Sequence, residues 1–259
     1  MLARMVGLVL AVPYFVLLLR RQIRPEHRLR LMNLPLLAAM QGVMGWYMVQ
    51  SGLSGRTSVS PFRLVAHLAI ALVIFAITIW TASELSHESP TGRSRAGRFA
   101  RFAVTSVTGI VFLTILSGGF VAGLDAGRLY NTFPLMEGRL IPEGYDAVAG
   151  WRNAFENPIT AQFHHRLIAI TTALLVVLTW TISWWRSWPR AIVRGLAAAT
   201  LLVSLQAGFG IVTLVLHVPI PLAVLHQVTA LTLLAVLLVV TQSTQRMASG
   251  RWSGNPAQK

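Results

Sequence analysis

The chain of 259 residues has no cysteine. That excludes disulfides, thiolate metal sites and thiol catalysis. Charge is scarce as well: Asp, Glu, Lys and Arg make up 12% of the chain, and only 8 residues are acidic. A soluble domain carries about twice that charged fraction. With so few carboxylates there is little to supply a di-iron centre, and without cysteine a zinc site is poorly provided. Lysine is confined to Lys259, so every other base is arginine.

What is there is apolar. Hydrophobic residues account for 54% of the chain and mean hydropathy is +0.62. Apolar runs of about 20 residues recur throughout, the length needed to cross a bilayer as a helix. The expected fold class is therefore all-α, a polytopic transmembrane bundle. Seven helices are expected, near Met5–Leu19, Leu31–Val49, Arg63–Leu85, Phe102–Gly123, Gln162–Trp185, Ala191–Leu216 and Leu222–Thr241. The net charge of +14 is no sign of nucleic acid, because the arginines sit in short loops. They crowd into Arg20–Arg30, the Ser86–Arg101 loop, the Arg186–Arg194 turn and the tail. The loops on the other side carry few bases, and the longest, Leu124–Ala161, is net acidic. The positive-inside rule then puts the tail in the cytoplasm and the 124–161 loop outside, where its aromatic content suits an ordered cap.

This topology sorts the histidines. His67, His164, His165, His217 and His226 all fall near the outer ends of helices, whereas His27 and His87 fall in charged inner loops. Ionisable groups inside membrane helices are costly and mark function by default. His217 sits in a turn, and only one of the adjacent pair His164 and His165 can point at a given centre. His67, His165 and His226 enter apolar helices and are the candidate ligands. Two imidazoles from facing helices are the usual way to hold a haem in a bundle, and His165 with His226 is the expected pair. Arg63, Arg128, Arg139 and Arg166 are candidate partners for haem propionates, because a guanidinium matches a carboxylate in a bidentate fork.

The chain also repeats. QGVMG from Gln41 precedes RLVAHLAIAL with His67, and QAGFG from Gln206 precedes LAVLHQVTAL with His226. Each is Gln-x-x-x-Gly followed by a histidine at the next helix mouth. Two pseudo-repeated halves are expected: residues 1–101 with three helices and 102–259 with four, the latter carrying the outer cap loop 124–161. The counterpart of His165 in the first half would fall just ahead of Met1, so the repeat predicts a chain that begins late.

The stretch GGFVAGLDAGRLYNTFPLMEGRLIP (Gly118–Pro142), with FHHRLIAI and LAVLHQVTAL, resembles the haem A synthase family, in its alphaproteobacterial and mitochondrial branch without the cysteine pair. The resemblance covers essentially the whole chain. It implies eight transmembrane helices in two four-helix halves and oxidation of the C8 methyl of haem O to the formyl group of haem A for terminal oxidases. His165 and His226 match the family's axial ligands of haem b. His67 matches a histidine of the half where the substrate haem reacts. The family also has an acidic residue and a histidine ahead of the first helix seen here, which implies that this chain as it stands makes little haem A. Implied too are a multi-pass bacterial inner-membrane location rather than a mitochondrial one, contact with lipid, and haem O synthase and oxidase assembly factors as partners. The redox partner, any homo-oligomer, and the roles of His164 and His217 stay open. So do two rival readings: a b-type cytochrome that only transfers electrons, and a haem carrier without catalysis.

Overall fold

The computed structural model describes residues 2–53, 59–86 and 97–249. These residues are mostly helical, with no named strand among them. The long helices are α1 (Leu2–Leu19), α2 (Pro25–Leu53), α3 (Pro61–Ser86), α4 (Arg98–Gly123), α6 (Pro158–Trp185), α7 (Arg190–Val215) and α8 (Ile220–Ser249). A four-residue helix, α5 (Asn153–Glu156), lies inside the long loop. Five of them, α3, α4, α6, α7 and α8, are long and apolar enough to cross a membrane. His87, Arg56, Arg93, Arg95 and the tail with Arg251 and Lys259 lie outside the described residues.

Several helices start earlier than their apolar runs. The segment Arg20–Arg30, expected to be a loop, is already helical from Pro25, and α6 starts at Pro158 rather than Gln162. Proline explains this: it lacks an N–H that the first turn could not use, and its φ is preset for a helix. Proline opens α2, α3 and α6, at Pro25, Pro61 and Pro158. At α6 the Asn157 side chain also caps the first turn, accepting from the Ile159 N–H at 3.0 Å. Hydropathy does not register such a polar first turn. The three candidate histidines therefore lie nearly two turns inside their helices. At about 1.5 Å per residue, His67, His165 and His226 all sit roughly 9–10 Å in from the start of α3, α6 and α8.

The last four long helices close a ring in which α4 packs on α6, α6 on α7, α7 on α8 and α8 back on α4. The core of this ring is aliphatic, with Val104, Val176, Ile192, Leu196 and Leu237 fully buried. Lipid is as apolar as leucine, so packing and interhelical hydrogen bonds must hold the helices together. Thr108 meets Thr241 at 2.8 Å across α4 and α8, and Thr114 meets Thr172 at 2.7 Å across α4 and α6. The first three helices form an open row: α1 on α2, α2 on α3, and α3 against α4 and α8. At the end far from the histidines, Gln242 donates to the Trp80 carbonyl at 2.8 Å, and Arg30 pairs with Glu84. Glycine allows close approach where α3 meets α4. A Cβ on Gly119 would stand 3.0 Å from Leu68, and one on Gly123 would stand 3.1 Å from the Pro61 backbone.

Candidate functional site

His165 projects from α6 onto α4, where it meets two consecutive residues. Its Nδ1 lies 2.8 Å from Ser117 Oγ, and its Cε1 rests over Gly118, where a Cβ would stand 3.2 Å away. The Ser117 hydroxyl donates its proton to the Thr114 carbonyl at 2.7 Å. Toward the ring it can then only accept, so His165 carries its proton on Nδ1 and leaves the Nε2 lone pair free.

His226 repeats this arrangement on the other pair of helices. It projects from α8 onto α7, and its Nδ1 lies 3.1 Å from the Gln206 backbone carbonyl. A carbonyl only accepts, so here too Nδ1 bears the proton and Nε2 the lone pair. The ring lies over Gly210, where a Cβ would stand 2.8 Å from Cε1. The Gln206 carboxamide nitrogen approaches Nε2 at 3.3 Å. Helices α6 and α8 are opposite members of the four-helix ring.

His67 reaches from α3 onto α2 in the same style. Its Cε1 would be 3.2 Å from a Cβ on Gly45, and its Nε2 is 3.0 Å from the Gln41 carboxamide nitrogen. Its Nδ1 is buried with no partner among the described residues, as is Gln41 Oε1. Each of the three rings thus lies on a glycine of the preceding neighbour, and all three remain partly exposed.

The cap loop is fastened over this end of the bundle through its main chain. Arg166 donates from Nη1 to the Thr132 carbonyl at 2.8 Å and from Nη2 to the Tyr130 carbonyl at 2.6 Å. Gln162 donates to the same Tyr130 carbonyl at 3.0 Å. Asn131 ties the loop to the end of α7 through the Leu214 carbonyl at 2.7 Å. His164 faces away from its neighbour and bonds the Tyr145 hydroxyl at 3.0 Å through Nε2. His217 is exposed in the α7–α8 turn, and His27 lies at the start of α2.

The four arginines are spread out. Arg63 stacks over the Tyr47 ring at 3.7 Å and donates to the Tyr47 carbonyl at 2.8 Å. Arg128 pairs with Asp125 at 3.3 Å and Arg139 with Glu143 at 2.7 Å, both exposed. Arg166 directly follows the candidate His165, and its Nε is buried with no partner among the described residues. Sequence reasoning missed Ser117, Gly118, Tyr145 and Gln162.

The donor set fits a haem iron. His165 leaves its Nε2 free, the Nε2 of His226 is met by the Gln206 carboxamide at 3.3 Å, the Nδ1 of each ring has an acceptor, and a glycine clears the space under each ring. Second-hydrogen-bond anchoring of this kind is what metal-ligating histidines need. Among the described residues no three His, Asp or Glu side chains converge as a bare metal ion would require.

The family profile of COX15-CtaA, described as cytochrome oxidase assembly protein, matches residues 1–238. The chain belongs to the COX15-CtaA family. Its curated relatives include a heme A synthase of Granulibacter bethesdensis, 43% identical over 242 residues, covering 93% of this chain and 63% of the relative. A heme A synthase of Nitrosospira multiformis is 42% identical over 248 residues, covering 95% of this chain and 70% of the relative. One of Agrobacterium fabrum is 43% identical over 237 residues, covering 90% and 64%. The chain thus spans about two thirds of the length of the COX15-CtaA relatives it matches.

Proposed function

We propose that this COX15-CtaA protein is a haem A synthase, which oxidises the C8 methyl of haem O to a formyl group. The observation that carries this is the pair of anchored imidazoles, His165 and His226, on opposite helices of one bundle in a chain similar to curated heme A synthases. Turning a methyl into an aldehyde takes two successive hydroxylations and loss of water. No side chain here can accept the electrons, so a redox group must. A haem b, if held by His165 and His226, would supply electron transfer.

The chain's own residues supply positioning. Ser117 and the Gln206 carbonyl hold the ring protons of His165 and His226, which keeps both Nε2 atoms as acceptors. Gly118 and Gly210 clear the volume beneath the rings. Arg166 closes the cap over this end of the bundle, and its unpartnered Nε leaves a donor for a propionate. Arg63, Arg128 and Arg139 are further propionate partners at the same end. The substrate haem docks on the His67 side, where the open row of α1 to α3 gives its apolar tail a lipid-facing path. Residues 1–101 and 102–259 act as two pseudo-repeated halves, and the matching Gln41–His67 and Gln206–His226 contacts support that reading.

The bacterial inner membrane is the location we propose, with the cap loop periplasmic and the arginine-rich helix ends cytoplasmic. Haem O synthase and oxidase assembly factors are the implied partners.

Membranes carrying the chain, supplied with haem O, test this. Formation of formyl haem, even at a low level, that is lost in His67→Ala supports the synthase. Stable low-spin haem b with no haem O bound would instead mark an electron-transfer cytochrome. Haem O bound and released unchanged would mark a carrier. Replacing His165 or His226 by alanine abolishes stable haem b; low-spin haem retained in both variants would overturn the pairing.

A further inference from the structure

At the end of the bundle far from the histidines, some arginines are engaged by the protein itself. Arg30 pairs with Glu84, Arg28 donates to the Ile23 carbonyl at 3.3 Å, and Arg246 donates to the Ser83 carbonyl at 3.3 Å. Five others gather at one corner. Arg98 and Arg101 lie in the first turn of α4, Arg186 lies in the α6–α7 turn, and Arg190 and Arg194 lie in the opening turns of α7. Among the described residues, no ion pair or side-chain hydrogen bond engages any of the five. Of the acidic side chains described, Glu84 alone lies at this end, and Arg30 holds it.

Phe99 ties the corner together. It stands between Arg98 and Arg101 on α4. The Arg186 guanidinium lies over its ring at 5.1 Å, and Trp188 meets it edge-on with centroids 6.2 Å apart. This stacking brings a cation from the α6–α7 turn onto the start of α4, beside two more. Like charges gathered without a counter-charge repel, and an aromatic ring does not neutralise them. Exposed aromatics lie next to the arginines on the membrane side: Phe102 one turn after Arg98, and Trp184 and Trp185 just ahead of Arg186. Arginine at a helix end with an exposed aromatic beneath it suits a headgroup layer above acyl chains.

We propose that this corner binds an anionic phospholipid, with its phosphodiester between Arg186 and the Arg98–Arg101 pair and its acyl chains beside Phe102, Trp184 and Trp185. A guanidinium matches a phosphate in a bidentate fork, and basic pockets between membrane helices take such headgroups. The phosphate supplies the counter-charge that no described carboxylate provides. By bridging α4 and the α6–α7 turn it also fastens two sides of the four-helix ring. A free phosphate would neutralise the guanidiniums and leave the exposed rings without a partner.

The test is tryptophan fluorescence of the full chain in phosphatidylcholine discs, with brominated phosphatidylglycerol replacing a rising share of the host lipid. Bromine on an acyl chain quenches the rings it touches. Quenching is expected to saturate at a lower share of brominated phosphatidylglycerol than of brominated phosphatidylcholine. Arg101→Gln and Arg186→Gln each lower that preference about fivefold, the factor one basic side chain contributes near an anionic surface. Arg24→Gln combined with Arg28→Gln removes charge from the start of α2 at the same end and leaves the preference as it is. Phe99→Leu keeps every charge, lowers the preference by removing the platform under Arg186, and serves if an arginine variant fails to fold. Equal quenching by the two brominated lipids overturns the proposal. So does a preference that the α2 double variant lowers as much as the corner variants do, which would mark only the general pull of a basic end. Inorganic phosphate that abolishes the preference at constant ionic strength overturns the lipid as the occupant.

Discussion

Ser117 Oγ lies 2.8 Å from His165 Nδ1 and donates its own hydrogen bond to the Thr114 carbonyl at 2.7 Å. A serine on α4 therefore decides which nitrogen of a histidine on α6 is the base. Replacing Ser117 by alanine leaves the Nδ1–H without an acceptor, and the ring loses both tautomer and orientation. Partners of this kind are worth about 10–100-fold in metal affinity. Ser117→Ala is expected to weaken haem b binding by that factor, read by titration of the Soret band, while helix content is unchanged. Affinity within twofold of wild type would show that the ring is held by packing alone.

The glycines beneath the rings give a graded prediction. An alanine Cβ at position 118 would stand 3.2 Å from His165 Cε1, tight but open to a small shift, whereas at position 210 it would stand 2.8 Å from His226 Cε1. Gly210→Ala must push the imidazole off its place. Off-rotamer displacement costs on the order of 1 kcal/mol and also breaks the Nδ1 anchor. Gly210→Ala should lose most low-spin haem and Gly118→Ala only part of it. Equal loss, or none, in the optical spectra of the two variants would separate ring placement from these glycines.

The membrane class and the five apolar spans α3, α4, α6, α7 and α8 were readable because each leaves a pattern in side-chain type. Gln-x-x-x-Gly before His67 and before His226 was readable for the same reason, and it turned out to be a contact motif, glutamine on the ring nitrogen and glycine under the ring. Ser117 and Gly118 were not, since small residues on a membrane helix are common and which one meets His165 depends on how α4 and α6 rotate against each other. The early start of α6 was encoded in Asn157–Pro158, a cap that a hydropathy reading passes over. The long loop was legible as an ordered cap, but what fastens it was not, because Arg166, Gln162 and Asn131 bond backbone carbonyls and carbonyls carry no sequence signal. Arg166 looked like one of four interchangeable arginines until its two bonds to Tyr130 and Thr132 set it apart.

His217 adopts φ +61° and is followed by Val218 at φ +63°, in the turn that joins α7 to α8. L-residues in this region cost about 1–2 kcal/mol, and a β-branched one is worse placed than most. His217 is exposed, so its side chain contributes nothing that offsets the strain. His217→Gly is expected to raise the thermal midpoint and leave haem binding as it is. Loss of haem in this variant, on the Soret spectrum, would give His217 a role at the site that its position in the turn does not suggest.

Arg166 touches the cap loop and sits beside His165 in the chain. Two of its N–H groups are spent on carbonyls more than 30 residues away, at 2.8 and 2.6 Å. A lysine has one point of charge and cannot reproduce that fork. Both Arg166→Lys and Arg166→Ala should therefore release residues 130–145 from the bundle. Gln162 and Asn131 would still tether the loop at the Tyr130 carbonyl and at α7, so the outcome is local opening rather than unfolding. Hydrogen exchange is the measurement: amides of the cap should lose protection while those of α7 and α8 keep theirs. If haem b is lost faster in both variants in proportion to that opening, the cap is what shields the His165 side. If exchange rises and haem retention does not change, the loop is only a cover, and the unpartnered Nε of Arg166 has no propionate to hold.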